Sequence, residues 1–261
     1  LGAEPPAPAP VQARAMANAA ALALILGQRS QAHQMAEQAY QISLQAVDPL
    51  SRGQALYVRV STHIAPNLLP ADYEEMGQQA NAAERLYVEL GSRPGRGRVL
   101  NVLGELKRMQ KRYDEAKLLY EESLRELRAA GYLLDIVVVQ SNLSWTTFHM
   151  GDHEAAFAGF VEALDMARDL EFPHGLAMTL LGAAGILARR GHPQPAARLI
   201  GAAAAIQESI GIVMVPSDEP DYESTVVELR SQLGQAGFDG YLQAGHMMTA
   251  EEAAVLVKEH H

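Results

Sequence analysis

A chain of 261 residues with 48% hydrophobic content holds enough apolar material for one or two folded domains, or for a single elongated array. Its 31 Asp and Glu outnumber 21 Lys and Arg, and the net charge of -10 opposes the phosphate neutralisation that nucleic-acid binders require, so no direct nucleic-acid partner is expected. No apolar run reaches the roughly 18 residues that span a bilayer, so no membrane partner is expected, and the absence of cysteine excludes disulfides, Cys-zinc sites and thiol nucleophiles.

Residues 1–10 are rich in Ala and Pro and lack the basic and long apolar regions of a signal peptide, so they read as a linker left by excision from something longer. Lack of cysteine does not decide the compartment, and a cytoplasmic location is the default expectation. At the other end, residues 260–261 are His260 and His261, which read as the stump of an affinity tag.

Over residues 11–212 the sequence repeats with a period of 40. Ala36, Met76, Ala116, Ala156 and Ala196 stand 40 residues apart, and seven positions after each comes a second small residue: Ser43, Ala83, Ser123, Ala163 and Ala203. Three positions before the first column stand His33, Tyr73, Tyr113, His153 and Pro193; four positions after it stand Tyr40, Ala80, Tyr120, Phe160 and Ile200. Residues three, four and seven apart share one helix face. The small columns are therefore expected to let a neighbouring helix approach, and the ring-bearing columns to fill the space between units. Leu50, Leu90, Ala130, Leu170 and Ile210 close the units, usually ahead of a stop such as Gly91, Gly131, Gly211 or Pro173. Each unit reads as a helical hairpin. The first helix is clearest over 99–110 and 137–150 and the second over 113–130 and 153–170, joined by the short polar turns Lys111-Arg112 and Gly151-Asp152.

Leu103-Gly104, Tyr113, Ala116, Tyr120 and Ser123 resemble the Leu-Gly, Tyr, Ala, Phe, Ala pattern of a tetratricopeptide repeat, and Leu143-Ser144, Gly151, Ala156, Phe160 and Ala163 resemble it again. The consensus unit is about 34 residues long, so the extra residues imply longer helices. The second unit departs most, with His63-Ile64 in place of Leu-Gly and Pro66-Asn67-Leu68-Leu69-Pro70 at its turn, where a local distortion is expected. The resemblance implies an all-α fold: a right-handed α-solenoid of about five such hairpins, closed by a C-terminal helical cap over 213–259. Within that cap, 222–233, 238–245 and 249–258 read as helices, the last with Thr249 and Glu252 spaced as a capping box.

The C-terminal part carries a second resemblance. Residues 196–203 (Ala-Ala-Arg-Leu-Ile-Gly-Ala-Ala), Ile210-Gly211, Asp221-Tyr222-Glu223, residues 229–234 (Leu-Arg-Ser-Gln-Leu-Gly), Phe238 and residues 248–253 (Met-Thr-Ala-Glu-Glu-Ala) look like the closing segment of tetratricopeptide arrays in bacterial LuxR-type and related ATPase-containing transcriptional regulators. What that implies is a sensor or scaffold part. The phosphate loop of an ATPase is missing, since Gly95-Arg96-Gly97 lacks the rest of the motif.

In tetratricopeptide folds the first helices line the concave groove. By register the candidate partner-binding residues are Arg98, Asn101, Glu105, Arg108, Ser141, Asn142, Trp145 and His149, with Ser61, Thr62 and Arg189 on the same face. Amides and charges can bond an extended peptide or a partner helix, and one aromatic ring can anchor it. A protein or peptide partner is the leading expectation. The alternative is a small-molecule sensor, for which Val102, Val138, Leu181 and Gly185 supply small and apolar groove positions. No enzyme is expected, because no nucleophile, base and oxyanion set can be assembled, and no cofactor is implied. No metal is expected either: His149 and His153 are separated by a turn, and Asp218, Glu219, Asp221 and Glu223 lack the pattern of a calcium loop and read as a linker and helix start.

Overall fold

The computed structural model describes residues 7–65 and 67–260. These form twelve α-helices: α1 (Ala9–Ile25), α2 (Arg29–Gln45), α3 (Pro49–His63), α4 (Pro70–Glu89), α5 (Arg93–Met109), α6 (Tyr113–Ala130), α7 (Leu133–His149), α8 (His153–Asp169), α9 (Pro173–Arg189), α10 (Pro193–Ile210), α11 (Glu219–His246) and α12 (Ala250–Lys258). None is long and apolar enough to cross a membrane. The pairs α1/α2 through α9/α10 are five antiparallel hairpins, and the chain is an all-α tetratricopeptide-like solenoid.

Local chemistry sets the ends of these helices. Asp48 accepts a hydrogen bond from the Ser51 amide at the start of α3, and Asp152 does the same for Ala155 at the start of α8, in each case satisfying an otherwise orphaned amide. Helix α6 carries Asp114 and Glu115 in its first turn and Arg128 in its last, matching the helix dipole, and stops at Gly131 in the left-handed region. Thr249 and Glu252 cap α12 reciprocally, as their spacing predicts. The first helices begin earlier than their apolar pattern suggests, at Arg93 and Leu133. Pro94 suits a helix's opening turn, and Gly95 and Gly97 remain helical because Tyr87 and Leu127 press against their backbone. Connections within units span only 26–28, 110–112, 150–152 and 190–192. The α3–α4 connection runs from 64 to 69, the distortion expected there, and its Pro66 lies outside the described residues.

Both small columns are buried throughout, with every member at most 4% exposed. The ring column of Tyr120, Phe160 and Ile200 is buried as well, whereas Tyr40 is half-buried. The opening column does not fill space as expected. His33 and His153 are exposed and Tyr73, Tyr113 and Pro193 half-buried, because this position falls on the first residue of the second helix in α6, α8 and α10 and within its first five residues in α2 and α4, near the turn.

Packing thickens along the chain. Between α1 and α3 the core is chiefly alanine (Ala17, Ala20, Ala36, Ala39, Ala55), while from α7 onward it holds Trp145, Phe157, Phe160, Leu180 and Leu187 and runs into the cap. First helices of neighbouring units pack on one another, α1 on α3, α3 on α5, α5 on α7 and α7 on α9, and neighbouring second helices do not pack comparably. The first helices therefore lie on the tighter, inner radius of the curve.

The cap is one helix broken in two plus a short third. Gly234 interrupts α11 with φ 69° and ψ 162°, a conformation that L side chains rarely adopt. Beyond it, α11 crosses α10 with Gly245 against the Arg198 carbonyl and Gly201 against the Leu242 carbonyl, so close that neither site has room for a Cβ. Before it, 219–233 turns back onto the inner face.

Candidate functional site on the inner face

The eight candidate residues do lie along the first helices α5 and α7, but in three different settings. Arg98, on α5, forks onto Asp135 at the start of α7 through two bonds of 2.9 Å, with its guanidinium over the Tyr132 ring. Asn142 is buried and donates to the Asn101 side chain at 2.9 Å, tying the same two helices. Ser141 is buried and spends its hydroxyl on the Val137 carbonyl, as Ser61 and Thr62 spend theirs on Tyr57 and Arg59. Trp145, only 5% exposed, stands edge-on to Phe148 and Phe160 and covers Gly185 of α9.

The remaining three are brought together by the segment that follows α10. Residues 212–218 leave α10, run over the inner face and deliver the first turn of α11 to it. Arg108, with its side chain 3% exposed, donates to Asp218 at 2.6 Å and to Asp221 at 3.1 Å. His149 places Nε2 2.8 Å from the other Asp221 oxygen and stacks on Tyr113 at 5.0 Å. Ser217 donates to Glu105 at 2.9 Å. Farther along, Arg189 of α9 pairs with Glu228 and donates to Ser224, and at the far end Arg29 of α2 pairs with Glu219. Asp218 and Asp221 do stand at the start of α11, as their spacing predicts; what that spacing does not show is their pairing with Arg108. The signal for it was present: a pair of acids follows the apolar run Ile212 to Val215 in a chain whose inner face carries Arg108, His149 and Arg189.

A cleft lined by Tyr73, Lys111, Tyr113, Arg108, His149 and Asp221 remains open beside this cluster. Beneath the segment, Trp145, His174, Met178, Leu181, Met214 and Thr225 enclose a cavity with room for about one water molecule. Of the four positions considered for a small ligand, Leu181 lines that cavity, Gly185 lies under Trp145 and Thr225, Val102 is buried and Val138 half-buried. Among the described residues no group of His, Asp and Glu is arranged to hold a metal ion.

Burial shapes the electrostatics of the cluster. It pushes the Glu105 carboxyl up to about 7, against the pull of Arg108 and the Ser217 hydroxyl, and it raises Asp218 as well. A carboxyl whose folded pKa exceeds its unfolded value binds its proton more tightly in the native state. Its contribution to stability is complete below the ordinary Glu value of 4.5 and is lost as the pH rises to about 7. Glu105→Gln is therefore expected to flatten the stability profile across that window and to leave the chain more stable than the native one at pH 8 by about 1–2 kcal/mol. Urea titrations at pH 5 and pH 8 measure this; an unchanged slope between the two would contradict it.

Taken together, the geometry defines a helical-hairpin solenoid whose inner face holds a polar and charged site. Solved structures agree on the fold. The chain is similar to aspartyl phosphate phosphatase F from Bacillus subtilis, with a TM-score of 0.65 and 13% identity over 92% of this chain, and it spans 61% of that protein's length. It is similar to BtubC (BKLC) from P. vanneervenii, with a TM-score of 0.55 and 16% identity over 92% of each chain. The pilF protein of Pseudomonas aeruginosa shares 18% identity over 89% of this chain with a TM-score of 0.48. No protein-family profile and no curated protein sequence matches the chain.

Proposed function

We propose that the chain is a protein-interaction scaffold whose inner face holds a helical or peptide segment of a partner. The observation that carries this reading is that the face already holds a helix: the first turns of α11 are seated by Arg108, His149 and Arg189 from three successive first helices. The half-exposed first-helix residues Asn101 and Val138 offer continuation of the same surface toward a second segment. The regulator-like closing segment of the sequence supports the finer reading, that this scaffold serves as the sensor part of a bacterial transcriptional regulator.

The test is affinity capture of a partner, its identification by mass spectrometry, and mapping with purified proteins. Asn101→Ala combined with Val138→Arg is expected to weaken the partner at least ten-fold while the chain stays folded with a lowered unfolding midpoint, since buried Asn142 loses its acceptor, and Leu118→Ala, 65% exposed on α6, leaves binding unaltered. Undiminished binding by the first variant would defeat the inner-face reading.

A further inference from the structure

We infer that residues 212–222 are an internal ligand, a strap that can leave the inner face, and that the face takes in its place an acidic segment of a partner carrying two carboxylates three residues apart. This rests on the inner-face reading above and adds to it both the partner's chemistry and the event that admits it.

The attachment of the strap differs from that of the rest of the cap. Gly211 (φ 67°) ends α10 and gives the strap its hinge on that side, and Gly234 (φ 69°) divides α11 farther on. Past Gly234 the helix is locked to α10 by backbone contacts at Gly201 and Gly245, and just before it Val226 and Leu229 are buried in the core. Residues 212–222, by contrast, are held by side chains: the ion pairs of Asp218, Glu219 and Asp221, the Ser217 hydroxyl, and contacts of Val213 on Gly27 and of Met214, Val215 and Tyr222 around the cavity at Trp145. Among the described residues a single backbone hydrogen bond, Val213 to the Ile25 carbonyl, joins residues 213–218 to the first hairpin, and Pro216 and Pro220 have no amide hydrogen to offer. A segment with so few backbone bonds to the array opens more readily than the hydrogen-bonded helices around it.

The ion pairs do not oppose such opening strongly. Burying Arg108 with Asp218 and Asp221 takes three charges out of water, and that loss of hydration offsets most of their attraction. Returning all three to water together costs little, whereas removing one partner in place costs much. A segment of this kind is readily exchanged for another that supplies the same charges.

The charges also dictate what can replace it. Without the strap the inner face presents Arg108, His149 and Lys111 beside Glu105, while Arg189 stays paired with Glu228 on the anchored part of α11. An occupant that buries Arg108 again has to bring carboxylates, or leave a guanidinium unpaired in a dry site. Asp218 and Asp221 show the spacing that fits, three residues apart at the opening turn of a helix, one carboxylate bridging Arg108 and His149. In a chain of net charge -10 this basic floor repels most of the protein's own surface and favours an acidic partner.

Trp145, the chain's one tryptophan, lies beneath the strap and reports its position. The probe is a labelled synthetic peptide with the sequence of residues 212–228, added to the full chain and to its D218N/D221N variant. The variant is expected to show red-shifted Trp145 emission and to bind the probe at least ten-fold more tightly than the native chain, with the blue emission restored on binding. A probe with Asn at both acidic positions is expected to bind at least ten-fold more weakly. Equal affinity of the native and variant chains for the acidic probe, or equal affinity of the variant for both probes, overturns the inference. Should the variant not fold, hydrogen exchange on the native chain decides: the amides of Asp218 and Tyr222 are expected to exchange at least ten-fold faster than those of Leu180 and Leu199, and equal protection overturns it. A captured partner that needs Asn101 and Val138 but is indifferent to the acidic probe would remove the strap while leaving the scaffold reading intact.

Discussion

Replacing Arg108 by Ala is expected to lower the unfolding free energy by about 3–5 kcal/mol, the range for leaving a buried ion pair without one partner. Two acids depend on it. Asp218 is 9% exposed and raised by burial, with Arg108 its strongest counterweight, and Asp221 shares the same guanidinium. Without Arg108 the buried Asp218 carboxylate loses its counter-charge and Asp221 is left with His149 alone, so the strap is driven toward leaving. Release caps the loss, so the lower end of that range is expected if the strap opens readily. A Lys at this position restores only part of the stability, because an ammonium cannot reach two carboxylates with the planar fork that spans 2.6 Å to one and 3.1 Å to the other. In the D218N/D221N background the same Arg108→Ala change is expected to cost about 1–3 kcal/mol less, the signature of coupled sites. Urea denaturation of the four chains completes that cycle, and additivity would show that the pairs carry no coupling.

Phe160→Ala is expected to have an effect of similar size, about 3–5 kcal/mol, by a different route. Its ring is fully buried between units, pressed onto the backbone of Gly182 and edge-on to Trp145 at 5.4 Å and 79°. Truncation removes the apolar contact, opens a cavity that the helices on either side cannot close, and forfeits the aromatic pair. The equivalent residue of the first unit, Tyr40, is half-buried with Arg52 and Arg59 over its ring, so Tyr40→Ala is expected to cost less than half as much. Guanidinium denaturation of the two variants compares them directly. Equal losses would mean that the first hairpin is packed as firmly as the fourth, contrary to its alanine core. Because each unit of a solenoid rests mainly on its neighbours, the Tyr40 variant is also expected to fray from the N-terminal end, while the Phe160 variant weakens the cooperative centre.

Much of this architecture was legible in residue spacing. A 40-residue period, two small columns and a ring column fix hairpins whose helices approach closely, and those columns are buried where the period placed them except at half-buried Tyr40. The distortion near Pro66 and the cap of Thr249 were legible for the same reason: both are local chemistry. The opening column was misjudged, because periodicity says which face a residue lies on and not how far along the helix its neighbours extend.

The candidate site was legible only in part. Register placed Arg108, Glu105 and His149 on the inner face, but could not tell them from Ser141 and Asn142, which the same helices turn inward to serve packing and interhelical bonds. What occupies Arg108 is a contact between residues 110 and 113 positions apart, Asp218 and Asp221. No period or local motif encodes such a contact; it exists because Gly211, in the left-handed region, ends α10 and the chain after it folds back over its own groove. By itself, then, the sequence determined the hairpins, their number and their tight packing, since these follow from contacts within about one repeat. Tertiary structure alone decided that a buried arginine faces two carboxylates from the chain's own tail, because only closure of the array brings distant charges into the same dry site.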